Sequence, residues 1–331
     1  MTRLGRLLAV ALLGLYPAAA QAQDCDRACL RSTLDRYLTA VTTHEPAAAP
    51  LAVGFRQTEN AVVVKLGTGA WKSVTGLGSL QRRYLDPVSG QAAFFGVVNE
   101  GNGSAIVTVR VKVERRQIAE AEWYMARQGD PGLNGPQQPG QPAGNFFDPD
   151  NLTKNPPPER TLPKQERLPR EALIGITNSY FDGITTHDGS IIMAHAGCAR
   201  TENGLTVTGR ATGSATGPGA RGGAAAGRGG ASDCTSGLET INIQLVAARR
   251  YPVVDEEAGV VLALAVFVRK PGTPTRRNVF SEWFVIDNQK IKSIYSAMFY
   301  PAPEVPVPNW PPYDGNWPLP PTLAPPAAPR P

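Results

Sequence analysis

Charge is scarce in this sequence. Asp, Glu, Lys and Arg make up 18% of 331 residues, and the formal net charge is only +5. Weak basicity with acids interspersed leaves no electrostatic footprint for nucleic acid. The stretch "GARGGAAAGRGG" has few arginines and no aromatics, so it reads as a low-complexity loop and not as an RNA-binding segment. Histidine occurs three times and cysteine four times. Neither C-x-x-C nor H-E-x-x-H is present, so no metal site is expected. A G-x-S-x-G elbow is missing, and "GTGAWKSVTGLG" fits neither the phosphate-loop nor the dinucleotide pattern. No cofactor is expected. Past the N-terminus, no apolar run is long enough to span a bilayer.

The N-terminus itself reads as a secretory signal peptide over residues 1–22. Arg3 and Arg6 form a basic region, Leu7 to Tyr16 an apolar one, and small residues permit cleavage after Ala20 or Ala22. The expected localisation is therefore secreted or periplasmic. In such a compartment four cysteines favour disulfides. Cys25 and Cys29 are one helical turn apart, and Cys198 and Cys234 flank a Gly/Ala-rich insert. These two pairings are expected, each stapling its own half.

The halves are visible because a phrase is written twice. "TTHE" and "QTEN" at Thr42–Asn60 return as "TTHD" and "RTEN" at Thr185–Asn203; 187 minus 44 and 202 minus 59 both give 143. Residues 30–64 lie over 173–207 without a gap, which signals a duplicated domain. Each copy opens with an amphipathic helix: Leu30, Leu34, Tyr37, Leu38 and Val41, then Leu173, Ile176, Tyr180, Phe181 and Ile184. Strand patterns follow. "AIVTVRVKV" alternates cleanly, whereas "VVLALAVFV" is apolar on both faces and suits a sheet covered on both sides. The fold class is α+β: two tandem domains, each with N-terminal helices and a run of antiparallel strands. The halves are expected to pack on each other within the chain, although the polar side of Ala105–Val113 argues against a fully symmetric interface. The domain reading is 24–128, a Pro/Gly-rich linker at 129–167, a second domain at 168–300 with an insert at 209–232, and a Pro-rich tail at 301–331.

The segments "CDRACL", "DRYLTAVTTHEP", "FRQTEN", "GTGAWKSVTGLG" and "YLDPVSGQAAFFGVVNE", spanning residues 25–100, resemble a family of secreted proteins in the nuclear-transport-factor-2-like superfamily, which includes ketosteroid isomerase and SnoaL-type cyclases. The second copy shares the helix and "RTEN" but lacks the Trp71 segment. The resemblance implies cone-like domains, each with a curved sheet wrapped by helices around an apolar pocket.

His44 with Glu59, and His187 with Glu202, are the candidates for acid–base chemistry, since imidazole exchanges protons near neutral pH and a carboxylate can orient it. Two other readings compete. The groups can orient a guest in an apolar cavity, or the histidines can close helix ends and the Glu-Asn pairs can turn strands. Repetition favours the structural reading, because duplication preserves scaffold in both copies. His195 has no counterpart, as Ala52 stands in its place. Tyr37, Trp71, Tyr84, Phe95 and Trp123 are the candidates to line a pocket for a small apolar ligand. The resulting expectation is an exported, non-catalytic or weakly catalytic binder of a small apolar molecule. The alternatives are an isomerase, cyclase or hydratase using a pocket His or Glu, and a structural protein without a ligand.

Overall fold

The computed structural model describes residues 25–101, 103–133, 135–136, 144–208, 231–272, 276 and 278–302. Residues 1–24, which include the expected signal peptide, residues 209–230 of the insert, part of the linker and the tail past Ala302 lie outside the described residues.

Helix α1 (Arg27–Thr42) starts where the Asp26 side chain accepts the Cys29 N–H at 2.9 Å, satisfying a donor that the first helical turn leaves open. Its predicted stripe, Leu30, Leu34, Tyr37, Leu38 and Val41, is buried. The chain then forms β1 (Leu51–Glu59), β2 (Val62–Val64), the short helix α2 (Ala70–Ser73), β3 (Val74–Asp86), β4 (Gln91–Glu100), β5 (Gly103–Glu114) and β6 (Gln117–Arg127). After a short linker helix, α3 (Pro149–Lys154), the plan repeats as α4 (Arg170–Thr186), β7 (Ala194–Glu202), β8 (Leu205–Thr206), β9 (Ile243–Asp255), β10 (Val260–Arg269), β11 (Val279–Asp287) and β12 (Lys290–Phe299).

Two six-stranded sheets result, ordered β2-β1-β6-β5-β4-β3 and β8-β7-β12-β11-β10-β9. The expectation of purely antiparallel sheets needs correction. β1 pairs with β6, and β7 with β12, in parallel. After the β1–β2 hairpin the chain crosses to the far edge, and three reversals from β3 bring β6 back beside β1 in the same direction. The amphipathic helix that opens each copy is present, but it is the one long helix of its half, where several N-terminal helices were expected.

One face of each sheet packs on its own helix. The apolar side of β5 (Val107, Val109, Val111) and Trp123 meet α1, and Phe280, Phe284 and Ile294 meet α4. The other faces pack on each other. Val260, Leu262, Leu264 and Val266 share a cluster with Ile106, Phe95 and Tyr124, and Trp283 lies 4.8 Å from the Tyr84 ring and 5.9 Å from Phe95. Because β10 is covered on both sides, it reads as a continuous apolar run.

Polar contacts across this interface are reciprocal. Arg27 at the start of α1 forks onto Asp255 at the end of β9 (2.8 and 3.0 Å), which also accepts the Leu85 N–H at 2.8 Å. Arg170 at the start of α4 donates to Asp86 at the end of β3 (2.5 Å), which also accepts the Val254 N–H at 2.9 Å. Arg27 and Arg170 hold the same place in the repeat, and so do Asp86 and Asp255. This is the exchange of contacts that a two-fold axis produces. At its centre the Ser281 hydroxyl donates to Thr108, its own counterpart, at 2.8 Å, and the Trp283 indole N–H donates to the same oxygen at 2.8 Å.

Trp283 is the counterpart of Arg110, so the interface is, as expected, not fully symmetric, but the polar side of β5 lies inside it. Its charge is answered there. Buried Arg110 pairs with Glu120 and Glu122, and Arg250 of the second half forks onto Glu122 (2.7 and 3.1 Å). Although burial works against the Glu122 charge, Arg110 and Arg250 hold its carboxyl down at about 2.

Both expected disulfides are formed, Cys25–Cys29 and Cys198–Cys234. Among the described residues, no helix is long and apolar enough to cross a membrane.

Candidate functional site

The repeated phrase has a local physical account. His44 and His187 follow the last turns of α1 and α4 in the left-handed region, both at φ 59°. Each ring is tied by Nδ1 to a backbone carbonyl of a distant segment, Trp71 O at 2.7 Å and Leu238 O at 2.9 Å. Since a carbonyl only accepts, Nδ1 carries the proton in both. Each histidine thus closes a helix and pins the loop that crosses it.

The Glu-Asn pairs end the parallel strand. Asn60 (φ 47°) exchanges two bonds with the Met125 backbone, accepting its N–H at 2.8 Å and donating to its carbonyl at 3.1 Å. Asn203 does the same with Met298 at 2.7 and 2.9 Å. The side-chain amide mimics one more strand residue and satisfies a β-ladder where the backbone turns away.

Between α1 and its sheet, the first copy holds a buried chain of hydrogen bonds. The Trp123 indole N–H donates to the Tyr37 hydroxyl at 2.9 Å, and Tyr37 donates to Gln57 Oε1 at 2.8 Å. Trp71 donates to the same oxygen at 2.8 Å. The Gln57 amide then donates to Glu59 Oε1 at 3.1 Å, which also accepts the Ala70 N–H at 2.7 Å. Gly69 makes room for this carboxylate, because a Cβ there would stand 2.2 Å from Glu59 Oε1. Burial pushes the Glu59 carboxyl up, and the bonds from Ala70 and Gln57 oppose that only in part.

The second copy fills the same place with charge. Arg200 stands where Gln57 does, and Glu282 where Val109 does. Arg200 pairs with buried Glu282, donates from Nε to Glu202 at 2.8 Å and bonds the Tyr180 hydroxyl at 2.7 Å. Burial works against the Arg200 charge, but Glu282, Tyr180 and Glu202 together outweigh it and hold the guanidinium well above its ordinary range.

The structure brings together Tyr37, Trp71, Trp123 and Glu59 beneath α1. It places Tyr84 and Phe95 elsewhere, on the interface between the sheets beside Trp283. His44 reaches this group only through the Trp71 carbonyl. Glu202 lies with Arg200, and His195 bonds Asp287 Oδ1 at 2.8 Å on the opposite end of β7. The sequence reading missed Gln57 and Arg200, which stand at one repeat position with different chemistry. That substitution within "RQTEN" and "ARTEN" was the signal available. It also missed Arg27 and Arg170, three residues ahead of the gapless match.

Residues 166–298, less than half of the chain, match a family model described as Domain of unknown function (DUF8021). The match falls on the second copy, whereas the resemblance read from the sequence lies mainly on the first. No curated protein matches the chain.

Proposed function

We propose that this chain is an exported, single-chain pair of cone-type domains, and that its first copy binds a small apolar molecule against Tyr37, Trp71 and Trp123. The observation that carries this reading is the contrast between the copies. The first keeps its buried polar groups neutral and aromatic along the chain from Trp123 to Gln57. The second locks the same place with the Arg200–Glu282 pair. An apolar cavity with a few convergent hydrogen-bonding groups is the usual build of a small-molecule site. Trp71 belongs to a short segment tied to Gln57, to Glu59 and to the His44 ring, and through Ser73 to Glu100. A guest enters by displacing that segment.

Native mass spectrometry of the full chain purified from its source tests the reading. The expected result is added mass that is lost on denaturation and absent from a Trp71→Ala, Gln57→Leu variant. An unliganded mass, with no melting shift from a panel of apolar compounds, would reject it. The enzymatic alternative rests on Glu59, whose half-buried, raised carboxyl is the kind of group that general acids use. Turnover of any bound compound that is lost in Glu59→Gln would favour it.

A further inference from the structure

The two copies also differ at one end of the sheet. In the first, Glu100 at the end of β4 is answered by Arg127 at the end of β6 (2.5 and 2.9 Å) and by the Ser73 hydroxyl at 2.5 Å. Continuing the strand registers, the matching places in the second copy hold Arg269 and Tyr300. One charge is inverted and its partner removed. Between them, Ala105 of the first copy is matched by Asn278.

By strand alternation Arg269 follows Ala263, Ala265 and Phe267 on the face turned to α4. Its Nε is buried and has no hydrogen-bond partner among the described residues, and the same is true of Asn278 Oδ1. The Asn278 amide donates instead to Met298 Sδ at 3.3 Å, and the Tyr300 hydroxyl donates to that sulfur at 3.1 Å. Glu202 is the neighbouring carboxylate, and Arg200 already binds it. A guanidinium drawn out of water without a bonded anion is costly. Burial accordingly lowers the Arg269 pKa below its ordinary value, against the pull of Tyr300 and Glu202.

We propose that Arg269 and Asn278 form an anion site that takes the carboxylate of a small molecule, whose apolar body lies against Phe267 and Phe280. The planar fork of arginine matches a carboxylate in two parallel bonds, and the Phe267 and Phe280 rings, 4.4 Å apart, belong to the core cluster on the same face of the sheet. Asn278 Oδ1 is free to accept from a hydroxyl or protonated oxygen on the same head group. This site belongs to the second copy and does not depend on the reading of the first.

Calorimetric titration of the full chain with hexanoate, hexanol and inorganic phosphate tests the proposal. Hexanoate should bind at least about tenfold more tightly than hexanol. Arg269→Gln should erase that difference, and Arg269→Lys, which keeps the charge without the fork, should retain part of it. Near-UV circular dichroism verifies the fold of each variant; if Arg269→Gln fails to fold, Arg269→Lys carries the comparison. Equal binding of hexanoate and hexanol, or an Arg269 variant that folds and binds hexanoate as the parent does, overturns the proposal. Phosphate binding with hexanoate silent overturns the carboxylate assignment.

Discussion

At the scale of single residues, the chemistry of the repeated positions is mostly that of closure. A histidine in the left-handed region costs backbone strain, and it persists here because the ring returns a bond to a distant carbonyl. His44→Ala and His187→Ala should each lower stability by about 1 kcal/mol, the usual net worth of one such bond. Denaturant midpoints measure this. Ligand binding changed with no fall in midpoint would instead assign these rings a functional role. His44 was legible as a helix-ending residue because "THEP" stops a helical stripe. Its partner, Trp71 O, was not, because nothing local links positions so far apart in the chain.

Among the elements, the hairpin and insert that follow β7 are tied down by Cys198–Cys234, which closes a separation of 36 residues. In the chain-entropy picture, a loop of that size is worth about 4 kcal/mol through restriction of the unfolded chain. A protease site placed between residues 209 and 230 and then cut should leave two fragments that migrate together on non-reducing electrophoresis and separate once a reductant is added. Fragments that part without a reductant would show that the pairing differs in solution. The strands themselves were readable from alternation, as in "AIVTVRVKV". The parallel β1–β6 pairing was not, since side-chain alternation carries no strand direction.

For the whole molecule, the reciprocal Arg27–Asp255 and Arg170–Asp86 contacts describe a dimer interface written into one chain. The two halves, co-expressed as separate chains, should form a one-to-one complex at neutral pH, because each uncovered sheet would expose Tyr84 and Phe95 or Trp283 and Leu264. Acid should weaken that complex. Glu122 has a folded-state pKa held down at about 2 by Arg110 and Arg250, below its ordinary value of 4.5. Separating the halves removes Arg250 but not Arg110 from Glu122, so the part of the depression due to Arg250 favours the complex above the ordinary value and is lost as pH falls towards the depressed one. Sedimentation of the complex between pH 5 and 2 should show dissociation, and Arg250→Gln should flatten that dependence. Halves that stay monomeric and as stable as the intact chain would sink the expectation.

The amino-acid sequence by itself determined the duplication, the helical stripes and the apolar run of β10, because each is carried by local spacing or by repetition along the chain. Only the tertiary structure decided which polar residues meet. Gln57 and Arg200 occupy one repeat position, yet one joins a neutral relay and the other a buried ion pair, since Tyr37 and Trp71, which bond Gln57, and Glu282, which pairs with Arg200, come from other elements of the chain. Tyr84 and Phe95 alternate with core residues just as pocket aromatics would, and only the packing of one sheet on the other shows that they face the second half. Direction, partner and face are long-range properties, and a one-dimensional pattern holds none of them.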